Sequence, residues 1–170
     1  MTSNVSELVQ AAGRSAAAGN WQQAEEHWRQ VIAIEPTHPQ ALCSLGIHAL
    51  QRGDVDAALG FLETSRAAAP GDTLTLMTIA AAHRHGGNAA GEREAIDAVL
   101  ETNSNFVPAL LLKADWMERN STAAAAAAIY KAALAISPAE ADWPADFRER
   151  LLHARGYVCL LYTSPSPRDA

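Results

Sequence analysis

The chain has 170 residues and a formal net charge of -6, and 49% of its residues are hydrophobic but only 6% aromatic. A nucleic-acid surface would need clustered lysine and arginine, so the acidic balance argues against one. Much of the apolar content is alanine, which favours packed helices over a sheet. There is no signal-peptide pattern, no run of about 18 strongly apolar residues and no metal-type spacing of the two cysteines. We therefore expect a cytoplasmic protein without a membrane span.

Several sequence features recur every 34 residues. Glycine followed by asparagine or aspartate occurs at Gly19-Asn20, Gly53-Asp54 and Gly87-Asn88. A leucine column contains Leu8, Leu42, Leu76 and Leu110, and a column of small residues contains Ala12, Gly46, Ala80 and Ala114. Glycine can end one helix in a left-handed conformation, and the polar residue after it can cap the next helix. Each unit is therefore predicted to be a hairpin of two helices whose backbones approach closely at the small residues.

The predicted helices, in chain order, span residues 4–18, 21–34, 39–51, 55–68, 73–85, 89–102, 107–119 and 122–136. A ninth helix is expected to start near Trp143-Pro144, with proline at its first position, and to continue to Val158. Its residues Phe147, Leu151 and Leu152 are expected to form one apolar stripe, which is typical of a helix that covers the open end of a helical array. In the first hairpin, Trp21 and Trp28 are predicted to lie in the core.

This pattern resembles the tetratricopeptide repeat, and the stretch ALCSLGIHALQRGDVDAALGFLETSRAAAP is the closest to that consensus. The resemblance implies an all-α fold, an α-solenoid of four helix hairpins at residues 5–38, 39–72, 73–106 and 107–140. Residues 141–158 would then form a capping helix or the start of a linker. Glu92, Ser104 and Lys113 depart from the consensus, and we expect looser packing around them.

Solenoids of this kind bind partners along a wall formed by the first helix of each repeat. The residues predicted to line such a groove are Cys43, Ser44, Ile47, Met77, Thr78, Ala81, Arg84, Leu111, Leu112, Asp115 and Arg119. Two interpretations are open. The groove binds an extended peptide or helix of a partner protein, or its residues pack against a downstream domain of the same protein or simply face water. Neither interpretation involves nucleic acid or a membrane.

Other uses of the fold have less support in the sequence. Family members that bind the acidic C-terminus of chaperones need Lys, Asn and Arg at set positions, and Val9, Gly13 and Ser44 occupy three of these here. His83 and His85 are two residues apart on a predicted helix, so they point to nearly opposite faces and cannot share a metal ion. The sequence contains no catalytic or phosphate-loop motif. We therefore predict no catalytic residue, metal site or cofactor in this chain.

The C-terminal stretch CLLYTSPSPRD, residues 159–169, has no counterpart in the repeats. It resembles the translation of a transposon-end and adaptor sequence that is used to prepare DNA sequencing libraries. The resemblance implies that residues 159–170 are not native and that the reading frame left its own gene near Val158. We therefore expect the chain to be the N-terminal part of a longer protein.

The segment DWPADFRERLLHAR, with the repeats before it, resembles the N-terminal region of bacterial aspartyl/asparaginyl β-hydroxylase domain proteins. That resemblance implies a longer parent with an Fe(II)- and 2-oxoglutarate-dependent dioxygenase domain beyond Val158. All iron and 2-oxoglutarate ligands would then lie outside this chain. A weaker alternative is the repeat arm of a glycosyltransferase, because such arrays also precede those domains.

Overall fold

The computed structural model describes residues 4–142 and 145–163, and within these ranges the chain is helical without a β-strand. The α-helices are α1 Val5–Ala17, α2 Trp21–Ile34, α3 Pro39–Gln51, α4 Val55–Ala68, α5 Thr73–His85, α6 Ala89–Thr102, α7 Val107–Asn120, α8 Ala123–Ile136 and α9 Ala145–Thr163, and Glu140–Asp142 form a short 3-10 helix. The eight predicted repeat helices are confirmed, each end within one residue. The all-α fold class is also confirmed.

Helix α9 differs from its prediction at both ends. Its expected start at Trp143-Pro144 lies outside the described residues. At the other end it continues to Thr163, five residues past Val158, so the helix includes part of the segment assigned to the non-native tail. The sequence contains no proline between Ala145 and Pro165 that would stop a helix sooner.

The glycine turns follow the predicted geometry. Gly19, Gly53 and Gly87 have φ angles of 77°, 78° and 71°, and no other described residue has a positive φ. After the second turn, Asp54 caps α4 by accepting a hydrogen bond from the backbone N–H of Ala57. Asn20 is an exception, because its side chain makes no such bond to α2. Left-handed glycine, rather than the side-chain cap, is therefore the constant element of these turns.

The chain divides into two compact units, residues 1–95 and residues 96–170, with the boundary inside α6. In the first unit, the core of the first hairpin contains Leu8, Ala12, Ala24, Trp28 and Val31, and Ala41 and Leu45 of α3 pack against it. Leu42, Leu76 and Ala80 are buried as predicted. At Gly46 of α3, a Cβ atom would lie only 2.6 Å from Cγ of Leu62 in α4. Glycine therefore allows the close approach that the small column predicts.

The second unit has its own core, formed by α7, α8 and α9. Buried residues of this core are Leu110, Leu111, Ala114, Ala126, Tyr130, Ala133, Leu151 and Ala154. Helix α9 packs against α8 and α7. The stripe prediction is wrong at Leu152, whose side chain is 40% exposed. Ala154 takes the buried place instead, because it lies three residues from Leu151 and so on the same helical face.

The positions that depart from the repeat consensus are accommodated in different ways. Glu92 is buried in α6, at the position where other repeats have alanine. Lys113 of α7 places its ammonium nitrogen 2.8 Å from a carboxylate oxygen of Asp97 in α6. An ion pair within the second unit therefore takes the place of the apolar contact that the consensus predicts at residue 113.

Candidate functional site

In the first unit, five of the predicted groove residues are accessible. Ser44 and Ile47 of α3, and Met77 and Ala81 of α5, are half-buried, and Arg84 is exposed. Helices α3 and α5 pack against each other, so these residues lie on neighbouring elements. The unit therefore presents part of the predicted binding surface to solvent.

The structure corrects the predicted lining at Cys43 and Thr78, which are buried. The Cys43 side chain faces α5, where Thr75 and Thr78 are its polar neighbours. Burial raises the pKa of the Cys43 thiol above its ordinary value, so the group stays protonated at neutral pH. Cys43 is one residue before Ser44 and points about 100° away from it around the helix. That rotation places it in the interface between helices.

In the second unit, the same correction applies to Leu111, which is fully buried. Leu112 and Asp115 of α7 are half-buried, and Arg119 is exposed. Asp115 has a structural role, because its carboxylate accepts a 2.6 Å hydrogen bond from the hydroxyl of Tyr130. Asp115 is therefore accessible but already hydrogen-bonded to Tyr130 within the unit.

The Tyr130 hydroxyl is the centre of a polar cluster where α7, α8 and α9 meet. It also lies 2.9 Å from Oε2 of Glu118, and the same oxygen is 3.0 Å from Nε2 of His153. The rings of His153 and Tyr157 pack on the Tyr130 ring, with centroids 5.6 Å and 5.3 Å away. Burial and the two carboxylates raise the pKa of Tyr130, so its phenol remains a hydrogen-bond donor. The cluster fastens α9 to the hairpin before it.

A pocket of about 210 Å³ lies between α2 and α3 in the first unit. Its lining residues are Ala16, Trp21, Ala24, Glu25, Trp28, Ser44, Leu45, Ile47 and His48. The walls are mainly apolar, and two indole rings contribute to them. Ser44 and Ile47 belong both to this pocket and to the predicted groove. At this pocket, a groove predicted from the sequence and a cavity in the structure coincide.

Trp21 is the exposed edge of this pocket, and its predicted position in the core is wrong. Its side chain is 47% exposed, whereas Trp28 is buried as expected. Trp21 is the first residue of α2, and its ring stacks on His48 of α3 with centroids 6.2 Å apart and planes 23° apart. It therefore contacts the next hairpin at the surface.

Glu25 connects the pocket to a group of charged side chains. Its two carboxylate oxygens accept hydrogen bonds of 2.8 Å from Arg29 and from Arg52. The Arg29 bond is the main reason why the pKa of Glu25 is lower than usual, and Arg52 and His48 add to it. The Glu25 side chain is 14% exposed, whereas those of Arg29 and Arg52 are 56% and 50% exposed. The accessible charge of this group, in the polar depression beside the pocket, is therefore that of the guanidinium groups.

His48 borders the apolar pocket and a wider polar depression beside it. Nδ1 of His48 lies 2.8 Å from Oε2 of Glu25, but its N–H direction is not aligned for a hydrogen bond to that oxygen. The contact is thus an ion pair only when the ring is protonated. The polar depression has a volume of about 620 Å³ and is lined by Gln22, Glu25, Glu26, Arg29, His48 and Arg52.

The Glu25–His48 cluster is not predicted by the sequence pattern. Glu25 and Arg29 are four residues apart on α2, which is a spacing for an ion pair, but Arg52 is 27 residues from Glu25. Among residues 4–142 and 145–163, no group of three His, Cys, Asp or Glu side chains is arranged to hold a metal ion. His83 instead packs its ring against Gly91, where an added Cβ would lie 2.7 Å away. None of the helices in the described part of the chain is long and apolar enough to cross a membrane.

Comparison with known proteins supports the repeat interpretation. Residues 15–82 match the tetratricopeptide repeat family model. MamA from Desulfovibrio magneticus superposes with a TM-score of 0.72 at 14% identity, covering 95% of this chain and 97% of MamA. The tetratricopeptide protein TTC0263 from Thermus thermophilus gives 0.65 at 18% identity, covering 98% and 94%. The APC/C hetero-tetramer Cut9–Hcn1 gives 0.73 at 17% identity, covering 89% of this chain and 30% of that chain. The search among curated proteins finds no match.

The 34-residue period, the left-handed glycines between paired helices and the similarity to these structures agree with one another. Sequence identities below a fifth show a common fold and carry no information on specific ligands. The described residues have the all-α fold of tetratricopeptide repeat proteins, and residues 15–82 match that family by sequence.

Proposed function

We propose that this chain is a protein-interaction module and that its first unit binds a segment of a partner protein along α3 and α5. One observation supports this most directly. Ser44, Ile47, Met77 and Ala81 stay partly exposed on two helices that pack together, although their neighbours Cys43 and Thr78 are buried. Ile47, Met77 and Ala81 are apolar, and partly exposed apolar side chains on two neighbouring helices favour contact with another polypeptide.

The comparisons agree with a role in assembly at a general level. A protein of the same fold forms the Cut9–Hcn1 hetero-tetramer of the APC/C. The two longer-parent alternatives, a hydroxylase and a glycosyltransferase, stay predictions from the sequence, as does the adaptor origin of residues 159–170. The matched structures bear on none of them. Iron and 2-oxoglutarate therefore have no part in the proposal for the described residues.

A selection from a random peptide library tests the proposal. We expect selected peptides to bind the full chain saturably and to shift backbone NMR signals of α3 and α5. Ala81→Arg should weaken binding of these peptides at least tenfold, because it places a long charged side chain on the contact surface. Ala67→Arg is the matched control, because Ala67 is an exposed alanine of α4. If Ala67→Arg and Ala81→Arg have equal effects, or the peptides bind elsewhere, the proposal is wrong.

A further inference from the structure

We infer that the pocket between α2 and α3 is an anchor site for one aromatic side chain of the partner segment, an inference that rests on the proposed function. The pocket is small for a metabolite, since such sites usually have volumes of about 300–1,000 Å³. At about 210 Å³ it has room for one large side chain. A bound peptide can place one such side chain in the pocket.

The walls of the pocket favour an apolar ring over a polar group. Trp21 and Trp28 contribute two indole rings, and Leu45 and Ile47 contribute aliphatic surface. Trp28 and Leu45 are buried and fixed by the core of the first hairpin, whereas Trp21 is 47% exposed at the edge. Half-exposed tryptophan beside a preformed cavity is typical of the residues that dominate protein interfaces. Aromatic rings also gain from stacking or edge contacts with other rings, beyond the area that they bury.

The charges at the edge of the pocket complement an aromatic ring more specifically. Glu25 forms part of the pocket wall and binds Arg52 through a single guanidinium nitrogen, Nη1. Arg52 lines the polar depression that shares Glu25 and His48 with the pocket, and its side chain remains 50% exposed, so a ring that extends from the pocket can meet its guanidinium group. Guanidinium groups stack on the electron-rich faces of aromatic rings. An aliphatic side chain would fill the same pocket but would gain nothing from Arg52.

Glu25 and His48 are positioning residues in this arrangement. The Glu25 side chain is 14% exposed and accepts hydrogen bonds from Arg29 and Arg52 at its two oxygens, which fixes the guanidinium groups in the polar depression beside the pocket. His48 stacks beneath Trp21 and limits the orientations that the indole ring can take. A site whose edge is held in this way loses less side-chain entropy when a ligand binds.

The experiment uses two capped tripeptides, Gly-Phe-Gly and Gly-Leu-Gly, as probes of the full chain. Binding is followed by the indole N–H signals of Trp21 and Trp28 in ¹H–¹⁵N NMR spectra, assigned with Trp21→Phe. We expect the phenylalanine peptide to shift both signals saturably and to bind about two- to tenfold more tightly than the leucine peptide. Equal affinity of the two peptides, or absence of a saturable shift, would overturn the inference.

Two variants locate the interaction. Ser44→Phe should fill the pocket and abolish the shifts, and circular dichroism checks that it remains helical. Arg52→Gln leaves the cavity intact and should remove most of the preference for phenylalanine over leucine. Arg66→Gln is its control, because Arg66 also pairs with a glutamate, Glu63, but lies on α4. An unchanged preference in Arg52→Gln contradicts the aromatic assignment. If library peptides still respond to Ala81→Arg while the phenylalanine probe fails to bind, the anchor is wrong and the interaction module stands.

Discussion

The indole ring of Trp21 stacks on the imidazole ring of His48, with ring centroids 6.2 Å apart. The pair joins the start of α2 to α3, so it links two successive hairpins outside their apolar cores. His48 also contacts Glu25, which is held by Arg29 and Arg52. One polar cluster therefore supports both the contact between the hairpins and the edge of the pocket, and its ionisation should affect stability.

The Glu25 cluster predicts a pH-dependent contribution to the free energy of unfolding. The pKa of Glu25 is lowered from 4.5 in the folded chain, mainly by the Arg29 hydrogen bond. A carboxylate with a lowered folded pKa stabilises the protein above its unfolded pKa, and this stabilisation is lost as the pH falls through the folded pKa. We expect Glu25→Gln to be less stable than the wild type near neutral pH and to lose this difference as the pH falls through the lowered pKa of Glu25 in the folded chain.

Urea denaturation at about pH 7 and about pH 3 measures this change. Glu26→Gln is the control, because Glu26 is an exposed carboxylate on the same helix. Should the difference between the wild type and Glu25→Gln stay constant over this range, the carboxylate does not act through its charge.

The close packing at Gly46 predicts that a larger side chain there destabilises the first unit. Gly46→Ala would place a Cβ atom 2.6 Å from Cγ of Leu62, which is fully buried and cannot move aside. We expect a loss of about 1–3 kcal/mol in the free energy of unfolding. Gly60→Ala on α4 is a matched helical control, because nothing lies within 4 Å of its added Cβ. That variant should gain about 0.5–1 kcal/mol from helix propensity.

Thermal and urea denaturation of the two glycine variants give the comparison. Because α3 and α4 approach closely at Gly46 but not at Gly60, the change in the free energy of unfolding should have opposite signs in Gly46→Ala and Gly60→Ala. A stabilising Gly46→Ala would show that the two helices do not pack as closely as the structure indicates.

The hydrogen bonds of the Tyr130 hydroxyl should contribute to the stability of the second unit and to the packing of α9. Tyr130→Phe removes the hydroxyl that contacts Asp115 and Glu118, and the ring packing with His153 and Tyr157 remains. Hydrogen bonds to charged groups are worth more than neutral ones, so we expect a loss of about 1–2 kcal/mol. Amide hydrogen exchange should show the greatest loss of protection in α9 and the C-terminal half of α7.

Tyr157→Phe is the control for this prediction. Its ring packs on the same cluster, and in the described part of the chain its hydroxyl makes no hydrogen bond, so the change should cost less than about 0.5 kcal/mol. Equal effects of the two substitutions would assign the contribution to ring packing instead of to the Tyr130 hydroxyl.

The sequence alone determined the repeat helices, their turns and the cores within hairpins. Leu42 and Ala80 are buried where the 34-residue columns predict, and Trp28 is buried in the core of the first hairpin as predicted. These features depend on interactions between residues that are close along the chain, such as helix periodicity, a left-handed glycine and two helices joined by a short turn. These features can be recognised in the sequence because the same residue types recur at the same positions in each 34-residue repeat.

Only the tertiary structure decided which helix faces are covered by the next hairpin. Cys43 is buried against α5, Trp21 is exposed beside α3, and Arg52 reaches Glu25 across 27 residues. Rotation of a helix by one residue is about 100°, so periodicity cannot tell a groove-lining residue from its buried neighbour. The candidate site consists of such contacts between hairpins, and they depend on the relative placement of helices that the columns do not specify.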